Sequence, residues 1–133
     1  MLNRKTLKTF RSEAGIDSLI KMMMTTSCKV ADIHSDLAEL KHRVYDRETE
    51  LAQVEFPFSE EASQNGKNEA ERKAKFVRLC MESETWQRVR QETDDALHHR
   101  DMMQAELDGL NARLGAQRTA ANLITATLNA SIE

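Results

Sequence analysis

The sequence predicts an all-α protein, a long antiparallel helical hairpin of the coiled-coil type that assembles into an oligomer. Three observations carry this prediction. Aromatic residues make up only 5% of the 133 residues, with one Pro, four Gly and 31% charged side chains, which is typical of long helices. Two long segments repeat apolar residues at heptad spacing, and one segment rich in helix breakers separates them.

Residues 1–15 are predicted to form a basic N-terminal segment. The segment has four cations and one acid, Glu13, so its charge is +3. The net charge of the whole chain is −3, so the remaining residues together carry −6. The spacing of Leu7, Phe10 and Ala14 fits a short amphipathic helix ending near Gly15, and a disordered segment is the alternative. The cations are Arg4, Lys5, Lys8 and Arg11.

Residues 16–54 are predicted to form the first coiled-coil helix. With Ile16 placed at position a of a heptad, every a position through Leu51 is apolar. The d positions from Leu19 to Val54 are also apolar except at Thr26 and Arg47. A pattern sustained over six heptads predicts one helix about 58 Å long with a continuous apolar seam.

Three methionines and Cys28 lie close together in this helix, where they suggest either a soft-metal site or part of the seam. Met23 occupies an a position, and Met22 and Met24 flank it. Met fills irregular apolar space and a free Cys behaves as a small hydrophobe, so packing is the favoured interpretation. Cys28 and His34 are six residues apart and fall on different helix faces, which disfavours a shared metal.

Residues 55–67 are predicted to be a loop, and residues 68–133 a second long helix. Pro57, Asn65 and Gly66 are the breakers of the loop. Asn68 followed by Glu71 resembles a capping box, which places the second helix start near Glu69. Ser83 is a second candidate N-cap, so we expect a break near residue 83.

The distal part of the second helix carries a clean apolar seam. Folding back about a loop at 55–67 places Ile16 near residue 106, so the first helix is too short to cover residues 107–133. We therefore expect a second chain to cover the seam, with the N-terminal segment as the alternative. The predicted homo-oligomer interface consists of Leu107, Leu110, Leu114, Ala121, Ile124 and Leu128.

The stretch DDALHHRDMM (94–103) is the most site-like in composition. Asp94 and Asp95 stand four residues before His98 and His99, a spacing at which carboxylate and imidazole can share a metal. Both histidines fall outside the seam, however, and no second such motif exists, so a solvated helix face is favoured. No GxSxG, HExxH or phosphate-binding glycine loop is present. The sequence thus predicts no catalytic residue, metal, cofactor or small-molecule substrate.

The two cysteines are 52 residues apart and no CxxC motif exists. With no secretory leader pattern near the start, we expect two reduced thiols in a cytoplasmic protein, and buried packing for Cys80. No apolar run is long enough to cross a membrane, so no membrane contact is predicted.

Two groups of cations are candidate phosphate contacts. One is the N-terminal group, and the other follows the predicted loop in ERKAKFVR; each adjoins an aromatic residue, Phe10 or Phe76. Cations beside an aromatic ring suit a phosphate backbone with a stacked base, which points to single-stranded DNA. A solvated helix face, partly neutralised by Glu69 and Glu71, is the alternative. The second group is Arg72, Lys73, Lys75 and Arg78.

Residues 67–125 resemble small coiled-coil proteins of phage and prophage recombination or early-gene modules. The resemblance lies in Asn68, Glu69, Arg72 and the Lys73–Ala74 step that opens the second helix, followed by LNARLGAQRTAANLI. The long heptad run before it departs from the phage recombination mediators, and no binding residue is carried over. The resemblance implies a non-catalytic accessory protein of a mobile element, acting in the cytoplasm of a host cell.

The function predicted is therefore that of a non-enzymatic, phage-type accessory protein. It would self-associate and bind DNA or a DNA-processing protein of the host or phage, as recombination and replication mediators do. An inhibitor of a host nuclease or CRISPR complex, imitating nucleic acid with its acidic surface, is one alternative. A structural assembly protein is another.

Overall fold

A computed structural model of the chain describes residues 4–6 and 15–132. Apart from a helical turn at 4–6, the described residues form α1 (Ile16–Asn65), α2 (Glu69–Glu82) and α3 (Glu84–Ile132), with no strand among them. The predicted all-α class is confirmed. The chain divides into two compact units, the hairpin unit (residues 37–103) and the terminal unit (residues up to 36 and from 104 onwards).

In the hairpin unit, α1 turns through the loop and α2 into α3, which runs antiparallel to α1. Arg47 on α1 lies beside Glu92 on α3, and later on α1 Glu55 accepts a hydrogen bond at 3.0 Å from the indole of Trp86, which is earlier on α3. Between residues 37 and 54 the buried residues of α1 are at predicted a and d positions, and Val89 and Ala96 are buried on α3. The heptad frame is confirmed here, with a core that includes Leu37, Leu40, Val44, Leu51, Ala62 and Cys80.

In the terminal unit, the start of α1 lies along the end of α3. Ile33 and Leu110 line one groove between the two helices, and Thr26 and Gln117 line another. Because the residue numbers rise on one helix as they fall on the other, the pairing is antiparallel. Ile16, Leu107, Leu110, Leu114 and Leu128 are buried in this unit.

The predicted end of the first helix at residue 54 is wrong, because α1 continues through Pro57 to Asn65. A proline inside a helix loses one backbone hydrogen bond and clashes with the preceding turn, at a cost of about 3 kcal/mol. The turns beyond it continue the apolar face, with Phe58 half-buried and Ala62 buried. Packing of these turns offsets the cost of the proline, and the connection shrinks to residues 66–68.

α2 begins where the capping pattern predicts. The Asn68 side chain accepts a hydrogen bond from the Glu71 backbone N–H at 2.9 Å. The Glu71 carboxylate accepts one from the Lys67 N–H, also at 2.9 Å, so the reciprocal bond of the capping box is shifted by one residue. A Cβ on Gly66 would lie 2.9 Å from the Arg72 backbone nitrogen, and glycine therefore allows this close approach.

The expected break lies at Ser83, between α2 and α3. Ser83 is extended, with ψ 116°, and its backbone N–H donates to the Cys80 carbonyl. Its hydroxyl accepts a hydrogen bond from the Trp86 N–H at 3.1 Å, which caps α3. One serine thus ends one helix and starts the next.

Polar residues interrupt the α1–α3 seam of the hairpin unit at one level. Arg47 forms ion pairs with Glu50 at 3.0 Å and Glu92 at 3.2 Å, and Arg88 contacts the same two carboxylates. The buried Thr93 hydroxyl donates to the Val89 carbonyl. The side chains of the ion pairs remain about half exposed, so each pair contributes only a few tenths of a kcal/mol. Their main effect is to favour one register of the two helices over shifted alternatives.

Candidate interaction surfaces

Most of the residues predicted to form an interface between copies are buried within a single chain, so that prediction is wrong. Leu110 is 9% exposed and Leu114 is 6% exposed without a second copy, and Leu107 and Leu128 are also buried. Ala121 and Ile124 are half-buried. The reason is the longer α1, because moving the turn from 55–67 to 66–68 slides the start of α1 further along α3. In the structure Thr26 lies near Gln117, so α1 itself covers the seam.

The predicted N-terminal basic group is described only in part. Arg4 and Lys5 are exposed on the helical turn at 4–6. Lys8 and Arg11 lie outside the described residues. The group's role as a phosphate contact stays a prediction.

The second predicted basic group is distributed around α2 and does not share one face. Successive residues of a helix are about 100° apart around its axis. Lys73 and Arg78 therefore lie on either side of the exposed apolar face of α2, and Arg72 and Lys75 lie on the other side of the helix. The Arg72 guanidinium donates to the Gly66 carbonyl at 3.2 Å, and Lys75 is half-buried. With three glutamates interleaved on α2, the helix offers no continuous basic stripe to a phosphate backbone.

A different set of cations comes together in the terminal unit. Lys21 and Lys29 on α1 and Arg113 on α3 line an open groove of about 390 Å³, together with the hydroxyls of Ser18 and Thr25. Among the residues that the structure describes, no acidic side chain lines this groove. Lys29 and Arg113 also line the adjoining groove, where Asp32 and Glu106 are the acids. We call the first of these the cationic groove.

The floor of the cationic groove contains an unusual polar residue. Gln117 occupies a d position of the seam and is 8% exposed, and its Oε1 atom is buried with no hydrogen-bond partner among the described residues. The neighbouring Thr26 hydroxyl is already bonded to the Met22 carbonyl at 2.9 Å. An unpaired buried amide oxygen costs about 1–3 kcal/mol, so this residue weakens the seam that it interrupts.

Sequence reasoning missed the cationic groove because its cations are distant in the chain. Lys21 and Lys29 are two turns apart on α1, and Arg113 comes from the other helix. The signal that was present is the sequence K-xxx-T-xxx-K on one face of α1, with Gln at a seam position of α3. Only the register of the two helices shows that they meet.

The exposed face of α2 is apolar along its length. Ala70, Ala74, Val77 and Met81 are exposed, with Met81 at 58%, and their spacing places them within an arc of about 60°. The opposite side of the helix contains the half-buried Phe76 and Leu79, with the buried Cys80 at its edge. We call these four residues the α2 stripe. A short helix with two apolar faces, one of them unpartnered in the hairpin unit, suggests a binding surface.

The two cysteines have different surroundings. Cys28 is exposed, so its predicted packing in the seam is wrong, and Met22 and Met24 beside it are exposed as well. Cys80 is buried, as predicted. Burial, and then the negative charge of Glu55, raise the pKa of the Cys80 thiol, which keeps it protonated and unreactive.

The acidic–histidine stretch of α3 lies on the surface. His98 and His99 are both exposed, in agreement with their predicted positions outside the seam. Within residues 4–6 and 15–132, no three His, Cys, Asp or Glu side chains are grouped so as to hold a metal ion. Their expected role is that of a solvated helix face.

Comparison with protein-family models, curated protein sequences and solved structures found no match. Among the described helices, none combines the length and the apolar character needed to cross a membrane.

Proposed function

We propose that this chain is a non-enzymatic accessory protein that self-associates and binds DNA or a DNA-processing protein, as its phage-type resemblance implies. The observation that carries self-association is the α2 stripe. It replaces the residue 107–128 seam as the surface offered to a second copy.

The α2 stripe suits a two-fold, antiparallel pairing with the same stripe of another copy. In this pairing a two-fold axis passes between residues 75 and 76 of the two helices. Ala70 of one copy then lies against Met81 of the other, and Ala74 lies against Val77. Each large side chain then meets a small one, and the alanines allow the two helices to approach closely. A two-fold dimer is also the commonest closed assembly of soluble proteins.

Charge along one flank of the stripe favours the same arrangement. Arg78 and Glu71 lie on one side of the stripe, seven residues apart. In an antiparallel pair that side of one helix faces the same side of the other, and Arg78 of one copy comes beside Glu71 of the second copy. Two such ion pairs form for each dimer, one at either side of the axis. A single 14-residue helix per copy offers less than a standard interface, so we expect dissociation in the range of about 10–100 µM.

Sedimentation equilibrium of Met81→Glu against Met102→Glu tests this pairing. Met102 is on α3 and is 60% exposed, which makes it a matched methionine outside the stripe. We expect the wild-type protein and Met102→Glu to dimerise equally, and Met81→Glu to stay monomeric with unchanged helicity. A wild-type protein that is monomeric at millimolar concentration contradicts the proposal, as does a Met81→Glu protein that dimerises like the control.

A further inference from the structure

We propose that the cationic groove of the terminal unit is a binding site for phosphate groups. The inference deepens the proposed function, since it assigns the phosphate contact that binding to DNA requires. It concerns a different unit and different side chains from the α2 stripe. Each can therefore fail without the other.

The cations of the groove are not joined in ion pairs within the described part of the chain. Lys21, Lys29 and Arg113 form no ion pair with any of the described residues, although the chain as a whole has more acids than cations. Several other arginines on these helices, such as Arg88 and Arg90, are paired with an acid one turn away. Three like charges that line one groove repel each other, and a bound anion relieves that repulsion.

The buried amide of Gln117 also supports a bound anion. An apolar residue at this d position would complete the seam, whereas the glutamine leaves Oε1 buried without a partner. The Gln117 side chain lines the cationic groove, and the N–H groups of its amide are the donors that it offers to a bound oxyanion there.

The size and donors of the groove select phosphate over a lone carboxylate. Lys21 and Lys29 are eight residues apart, which is about 12 Å along the helix. Ser18 adds a hydroxyl donor beside Lys21, whereas the Thr25 hydroxyl donates to the Lys21 carbonyl at 3.0 Å. A phosphate carries several acceptor oxygens, and a chain of phosphates can reach all three cations, whereas one carboxylate cannot. Asp32 and Glu106 line the adjoining groove, and their negative charges limit the anion site on that side.

Binding of two probes, inorganic tripolyphosphate and a short single-stranded DNA oligonucleotide, tests the site. Lys29→Gln combined with Arg113→Gln should weaken binding of both probes by about tenfold or more. Lys41→Gln combined with Lys67→Gln is the control, because it removes the same charge from exposed positions in the hairpin unit. Isothermal titration calorimetry at low salt is a suitable measurement, with circular dichroism to show that both variants fold.

The two probes also distinguish the source of the phosphate. Tighter binding of the oligonucleotide than of tripolyphosphate identifies a nucleic-acid backbone as the ligand. In that case the slope of log K against log salt concentration should become shallower by about 0.7 for each phosphate contact removed. Binding of tripolyphosphate alone identifies a free polyphosphate or nucleotide as the ligand. Either result supports the site. Failure of both probes to bind, or equal weakening in the groove and control variants, overturns it.

Gln117→Leu separates a binding role from a structural one. Restoring an apolar d residue should raise the melting temperature and, at the same time, weaken phosphate binding severalfold. These opposite changes are not expected of a glutamine that has no ligand. A higher melting temperature with unchanged binding overturns the assignment of Gln117 to the site.

Discussion

Leu37→Asp should destabilise the protein by about 3–5 kcal/mol, a large part of the stability of a domain of this size. Leu37 is 3% exposed in the core of the hairpin unit, at an a position of the seam. The substitution removes a buried aliphatic side chain and places a carboxylate in the apolar core. Urea denaturation followed by circular dichroism measures the loss directly.

Ala38→Asp is the matched control, because Ala38 is the next residue on the same helix and is exposed. It introduces the same charge in the same turn and should change stability by less than about 0.5 kcal/mol. Equal stability of the two variants would show that the heptad frame is misplaced.

Leu110→Glu combined with Leu114→Glu should unfold the terminal unit of an isolated chain. Both leucines are buried against α1 within the unit, so two carboxylates enter an apolar seam at a combined cost well above 5 kcal/mol. Helicity should fall, and the loss should not depend on protein concentration. An interface between copies would give the reverse, a folded monomer that only fails to associate.

The control for this variant is Leu123→Glu, a leucine of the same helix that is 65% exposed. It should retain the full helicity and melting temperature of the wild type. A double variant that sediments as a well-folded monomer, and a wild type that is an oligomer through this seam, would contradict the intramolecular packing.

The heptad pattern predicted most of the fold because apolar spacing alone decides which helix face is buried. Every a and d position of α1 from Ile16 to Val54 is buried or half-buried, including the polar Thr26 and Arg47. The loop boundary could not be predicted in the same way. The local preference of Pro57 favours a break in the helix. The packing of Ala62 and its neighbours favours a continuous helix, but that packing depends on contacts that no local pattern reports.

That one boundary changed the interpretation of the surfaces. A turn at 55–67 leaves Leu110 and Leu114 without cover, whereas a turn at 66–68 buries them within the chain. In the observed register Lys29 lies near Arg113 and Thr26 near Gln117, which assembles the cationic groove. Its charges were visible in the sequence, but whether they meet depends on the register of α1 and α3, which no local pattern reports.

Cross-linking of paired cysteines tests the central claim, that α1 covers the seam of α3 in its own chain and in this register. Asp32 and Gly109 line one groove, so cysteines at these two positions, with Cys28 and Cys80 replaced by Ser, should be joined by a short bis-maleimide. We expect a cross-linked monomer at high dilution. Cysteines at Ser18 and Gln104, which a turn at 55–67 would bring together, should stay unlinked. Dimers as the only product of the first pair, or efficient linkage of the second, would contradict the account.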